Sequence, residues 1–136
     1  QLDRLSDFIE VRKKNFYHLK NQLASLEEFL VLPEATPESD PSWFGFPLTI
    51  REKAPFSRVD LLLHLDEKKI GSRPLFGGNL TRQPYFQDKI YRMAGDLKNT
   101  DLIMDNTLWI GVFPGLNTTM LDYVADQIKT FAGARI

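Results

Sequence analysis

The stretch TLWIGVFPGLNTTMLDYVADQIKTF, residues 107–131, decides the fold. Its first seven residues, Thr107 to Phe113, carry no charge and predict a buried strand. Pro114-Gly115 ends that strand, because proline gives a ladder no amide hydrogen and glycine accepts turn geometry. Asn117 or Thr118 then offers a side-chain oxygen to the free amides of a helix N-terminus. Met120, Leu121, Val124, Ile128 and Phe131 fall mostly three or four apart, which gives that helix one apolar face. A strand followed by such a helix calls for a sheet on which the face can rest.

Upstream, SWFGFPLTIR (residues 42–51) reads as a second strand, with Pro47 implying an edge or a bulge. Ser57 caps a helix running to about Lys69, with Val59, Leu62, Leu63 and Leu65 turned inward and Gly71 as its terminator. Ser72 to Phe76 forms a short strand, residues 77–96 a long ordered loop, and residues 97–106 a short helix. PEATPESDP (residues 33–41) is a polar, proline-punctuated surface loop.

Ahead of it lies one long helix, on which Leu2, Leu5, Phe8, Ile9, Phe16, Leu19, Leu23, Leu26 and Leu30 recur at helical spacing up to Pro33. About 30 residues at ~1.5 Å each make a rod of ~45 Å. A globule of this length measures about 37 Å across, so the rod overhangs it. The helix also opens without a capping side chain, and Gln1 stands where an initiator Met would. The expectation is a chain cut from a longer protein within a connecting helix, residues 1–30; a processed terminus is the alternative. The fold class is α+β: three to four mainly antiparallel strands with helices on one face and a long N-terminal helix.

The chain has 136 residues, which favours one domain, residues 1–136, with a core of its own. It contains no cysteine, which excludes disulfides, thiolate metal sites and a cysteine nucleophile within it. Lys plus Arg (17) nearly balances Asp plus Glu (18), so a nucleic-acid-binding domain lacks the basic excess it needs. No apolar run approaches the length of a membrane span and no signal pattern opens the chain, so the expected compartment is the cytoplasm.

Little of the chain suggests chemistry. His18 and His64 have no partner at ligand spacing and read as ordinary helix residues, so no metal site is expected. Trp43 and Trp109 read as core residues, and the sequons at Asn79 and Asn117 as chance matches. The segment GSRPLFGGNLTRQP (residues 71–84) differs. Its glycines let backbone approach a ligand, and Arg73 and Arg82 offer planar donors for phosphate or carboxylate. Phe76 and Asn79 can add a wall and an orienting amide, although the spacing is not that of a Walker loop. A bland alternative has both arginines paired with acids such as Asp88 or Asp96.

Several stretches carry a family resemblance: QLDRLSDFIEVRKKNFYHLK, LEEFLVLPEATPESDPSWFGFPLTIRE, IGSRPLFGGNLTRQPYF and NTDLIMDNTLWIGVFPGLNTTMLDYV. In this order they resemble the C-terminal domain of the DegT/DnrJ/EryC1/StrS sugar aminotransferases. SDPSWFGFP and FGGNLTRQP are most similar to the dehydrase branch, the lipopolysaccharide-biosynthesis 3-dehydrases of CDP-4-keto-6-deoxyglucose. Where many aminotransferases of the family carry a His-Tyr pair and a further His, this sequence has Pro74-Leu75-Phe76 and Asn79-Leu80.

The resemblance implies the small domain of a fold-type I, pyridoxal-phosphate-type enzyme, with the first helix leading from a large domain. It implies that the cofactor, pyridoxal or pyridoxamine phosphate, is held outside this chain, as is any [2Fe-2S] cluster. The implied reaction is loss of the C3 hydroxyl of a 4-keto sugar on the way to 3,6-dideoxyhexoses of O-antigen. A reductase partner and a homodimeric parent go with it. Arg73, Phe76, Asn79 and Arg82 become candidate sugar-nucleotide-binding residues, and no catalytic, cofactor-binding or metal residue is expected here. An aminotransferase small domain is the alternative within the family, and a stand-alone interaction module the alternative outside it.

Overall fold

The computed structural model of the chain describes residues 2–134. Among them, β1 (Leu30–Val31), β2 (Gly45–Ile50), β3 (Ser72–Pro74) and β4 (Thr107–Gly111) form one sheet in the order β1-β2-β4-β3. Every neighbouring pair is antiparallel. The helices are α1 (Leu5–Leu23), α2 (Arg58–Glu67), α3 (Lys98–Asn106) and α4 (Thr118–Gly133). None is long and apolar enough to cross a membrane.

Alternation along the strands defines two unlike faces. Phe46, Leu48 and Ile50 of β2 and Leu108 and Ile110 of β4 are buried on one face. They meet Phe16, Leu19 and Leu23 of α1, Leu61 and Leu65 of α2, and Leu121, Ala125, Ile128 and Phe131 of α4. Deleting one such buried leucine side chain costs about 2–5 kcal/mol. Gly45, Pro47, Trp109 and Arg73 alternate onto the other face. There α3 has no fully buried residue, and its Leu102 lines a shallow cavity with Val31 and Thr49.

Four details depart from the sequence expectation. First, α1 ends at Leu23, so its 19 residues span about 28 Å. The chain then tightens through a turn at Ala24–Leu26, and Leu30 and Val31 pair with Ile50 and Thr49. The apolar spacing continues across this break, so periodicity alone could not reveal it. Second, Leu61 and Leu65 of α2 face the core, whereas Val59 and Leu63 are exposed. Third, Lys69 and not Gly71 terminates α2: just past the helix, Lys69 is left-handed (φ 60), its N–H bonds Asp66 O, and the Ile70 N–H bonds Leu65 O. Fourth, Met120 of α4 is exposed and Ala125 takes a core position.

The capping expectations are met. The Ser57 hydroxyl accepts from the Asp60 N–H while the Asp60 carboxylate accepts from the Ser57 N–H. The Asn117 side chain accepts from the Met120 N–H at 2.9 Å. Pro47 is tolerated because β1 pairs only with Thr49 and Ile50, which leaves Gly45–Leu48 with a strand on one side alone.

Polar contacts join the C-terminal two-thirds of α1 to the globule. Buried Asn15 donates to the carbonyl of Phe113 at 3.0 Å, and Arg12 donates to that of Trp43 at 2.8 Å. His18 Nε2 lies 2.6 Å from the Asp122 carboxylate on α4. Ahead of these anchors Leu2, Leu5 and Phe8 are exposed.

Candidate functional site

The face of the sheet opposite the core carries an aromatic cluster. Trp109 lies opposite Pro47 on β2 and Arg73 on β3, so the indole and the guanidinium leave the sheet on one side. Gly45 makes room for the indole: a Cβ there would stand 2.5 Å from Trp109 Cε3. Phe44, just before β2, lies 4.9 Å from Trp109 between ring centroids. Phe76, just beyond β3, lies 6.3 Å from Phe44 with its ring inclined by 27°. Phe44, Arg73, Pro74, Phe76 and Trp109 line an open cavity of about 490 Å³.

Three features set this cavity apart. Phe44 and Phe76 remain 65% and 76% exposed, so their rings serve no core. The Arg73 guanidinium has no hydrogen bond or ion pair among the described residues. The indole N–H of Trp109 is shielded from solvent and lacks a hydrogen-bond partner. Flat apolar walls beside an unpaired guanidinium suit a molecule with a ring and an anionic group.

Phe76 occupies a left-handed conformation (φ 47), which costs a bulky L-residue about 1–2 kcal/mol. The loop around it holds the strain. The Phe76 N–H bonds Pro74 O at 2.9 Å, the Gly78 N–H bonds Leu75 O, and the Gln83 amide donates to Gly77 O at 2.6 Å.

Asn79 and Arg82 point elsewhere. Asn79 is buried, and its amide nitrogen donates to Asp101 Oδ1 at 2.7 Å. Its oxygen accepts from the Thr81 backbone N–H and hydroxyl. Arg82 clasps the same carboxylate through Nε and Nη2, at 3.1 and 2.7 Å. The Arg82 pairing, then the Asn79 bond, hold the Asp101 carboxyl down to about 2. The fold therefore brings Arg73 and Phe76 together and turns Asn79 and Arg82 toward α3. The acid that pairs with Arg82 is Asp101, not Asp88 or Asp96, and Asp96 is engaged by Lys98.

Sequence reasoning passed over Phe44, Trp109 and Asp101. Nothing local flags Asp101, which meets its partners across 19 and 22 residues. Phe44 and Trp109 lay in apolar stretches, where a wall and a core residue look alike. Trp43 does join the core, its ring stacked 3.7 Å from Phe16.

A larger groove of about 790 Å³ lies at the β3 edge beside α4, lined by Ile70, Phe113, Leu116, Met120 and Val124. Its lining is mostly apolar, with Lys69, Asn117 and Thr119 as polar members. Among the described residues no cluster of His, Asp or Glu could hold a metal ion.

This fold and this order of segments define a family: the profile of the DegT/DnrJ/EryC1/StrS aminotransferase family matches residues 1–129, and the chain belongs to it. It is 56% identical over 133 residues to the lipopolysaccharide biosynthesis protein RfbH of Salmonella typhimurium, covering 98% of this chain and 30% of that protein. It is 47% identical over 131 residues to the dTDP-4-dehydro-2,6-dideoxy-D-glucose 3-dehydratase of Saccharopolyspora spinosa, covering 96% of this chain and 28% of that protein. A solved GDP-4-keto-6-deoxymannose-3-dehydratase with a trapped PLP-glutamate geminal diamine superposes with TM-score 0.83 at 26% identity. That match covers 93% of this chain and 32% of the other. The chain thus spans about 30% of the length of the curated relatives it matches.

Proposed function

We propose that this chain is the small, C-terminal domain of a nucleotide-sugar 3-dehydratase, and that it presents the Arg73–Phe76 face to the sugar nucleotide. The whole protein would remove the C3 hydroxyl of a 4-keto-6-deoxy sugar carried on CDP. It would act in the cytoplasm as a homodimer, ahead of a partner reductase, toward the 3,6-dideoxyhexoses of lipopolysaccharide. The observation that carries this reading is identity of 47–56%, along nearly the full chain, to a lipopolysaccharide biosynthesis protein and a nucleotide-sugar 3-dehydratase.

The residues of this domain would bind and orient. Arg73 offers its planar fork of donors to the diphosphate or to sugar hydroxyls. Phe44, Phe76 and Trp109 form a dry wall against the flat side of a sugar or base. Asn79 and Arg82, tied to Asp101, keep the loop in shape.

Pyridoxal and pyridoxamine phosphate do not fit this face. Such a cofactor needs a lysine or replacing base at its aldehyde carbon, an acid near its ring nitrogen and a phosphate cradle. The cavity is lined by one arginine, one proline and three aromatic rings, with no lysine and no acid. On this reading the cofactor is held by residues outside this chain, and so are the thiolate ligands of any iron–sulfur cluster, since the chain has no cysteine.

The test uses the full-length protein. Arg73→Ala and Phe76→Ala are each assayed for affinity toward CDP-4-keto-6-deoxyglucose and for melting temperature. A charged hydrogen bond contributes about 1.5–3 kcal/mol, so Arg73→Ala weakens binding roughly ten- to a hundredfold with the melting temperature held. Unchanged affinity with a lowered melting temperature would assign both residues to structure and refute the reading.

A further inference from the structure

We propose that Asp101 is a positioning residue for the Arg73–Phe76 face. It fastens the 77–83 loop to α3, and through that loop it fixes Phe76 against Phe44 and Trp109. The inference rests on the functional reading of that face and adds to it the part that gives the face its shape.

Three observations carry it. The Asp101 carboxylate is the hub of the loop, since Arg82 reaches it with two nitrogens and Asn79 with one. Asn79 passes the constraint inward by accepting from both the N–H and the hydroxyl of Thr81. The same helix also packs on the loop by shape. Gly78 (φ +61) lies so close to α3 that a Cβ there would stand 2.3 Å from Met104 Cγ. Bonding at Asp101 and packing at Met104, one helical turn apart, thus fix the loop at two points.

The strain at Phe76 gives this anchorage a purpose. An exposed phenylalanine in a left-handed conformation relaxes unless its flanks are held. Pro74 in β3 holds it on one side. On the other side the chain makes no ladder bond after Pro74: the bonds from Gly78 N–H to Leu75 O and from Gln83 to Gly77 O stay within the loop, and what ties that loop to α3 is the Met104 contact and the Asp101 hub. Asp101 does not line the cavity, so its effect on a ligand must pass through Phe76.

In the full-length protein, Asp101→Ala is compared with Asp101→Asn, Gly78→Ala and Phe76→Ala. Three quantities are read: amide exchange of residues 77–83, affinity for CDP-4-keto-6-deoxyglucose, and kcat. Asp101→Ala speeds loop exchange at least tenfold and weakens affinity five- to fiftyfold, with kcat at saturation changed less than threefold. Gly78→Ala reproduces the pattern without touching a charge, and Asp101→Asn, which keeps one acceptor oxygen, recovers part of it. Unaltered loop exchange in Asp101→Ala overturns the proposal. A loosened loop with full affinity also overturns it, provided Phe76→Ala weakens binding. If Phe76→Ala itself leaves affinity intact, the reading of the face fails and the positioning role fails with it.

Discussion

Asp101 is exposed enough to titrate and paired enough to titrate late. Its carboxyl lies at about 2 against an ordinary value of 3.8, chiefly through Arg82 and then Asn79. A carboxyl depressed by folding contributes stability that is present above its unfolded value and lost as pH falls through the folded one. Protection of the Thr81 and Arg82 amides should therefore stay level from pH 7 to about 4 and fall progressively between about 4 and about 2. The Asp101 carboxyl carbon, followed by NMR, should titrate with a midpoint near 2. A midpoint near 4 would mean that the clasp does not hold in solution. At this scale the site was half legible. Residue type singled out Arg73, Phe76, Asn79 and Arg82, because arginines and glycines in an irregular loop are suited to binding. The separation of Arg73 and Phe76, at the cavity, from Asn79 and Arg82, at α3, depends on one carboxylate from α3, and no local pattern encodes that meeting.

Elements were legible wherever a cap or a breaker marked their ends. Ser57, Asn117 and Pro114-Gly115 did so, and α2, α4 and β4 begin or end close to them. The α1 terminus carried no such mark. Leu26 and Leu30 keep helical spacing although Leu26 sits in a turn and Leu30 in β1, because both are buried from other elements. In α2, apolar residues at 59, 61, 62, 63 and 65 allow two inward faces, and contact with α4 selects that of Leu61 and Leu65. The start of α1 is the element whose behaviour follows most directly from exposure. Leu2 and Leu5 are 84% and 50% exposed, and the first long-range polar anchor of the helix is Arg12. In the isolated chain, amides of residues 2–9 should exchange at least tenfold faster than those of residues 15–23. Strong protection of residues 2–9 in a strict monomer would contradict this.

At the scale of the whole molecule, the sheet separates two tasks. One face is closed by α1, α2 and α4 into a core, and the other keeps Phe44, Phe76, Trp109 and Arg73 open. On the function proposed above, a domain built this way would bind part of the ligand and leave the chemistry to groups outside it. The isolated chain, mixed with pyridoxal or pyridoxamine phosphate and desalted, should retain no cofactor absorbance. Stoichiometric retention would show a cradle within these residues.

On the proposed function, the sugar nucleotide meets this domain at the aromatic face and not at the larger apolar groove beside α4. Amide exchange of the full-length protein, with and without saturating CDP-4-keto-6-deoxyglucose, compares the two surfaces directly. Exchange should slow in residues 72–78 and stay unchanged in residues 113–124. Slowed exchange in residues 113–124, with none in residues 72–78, would contradict it.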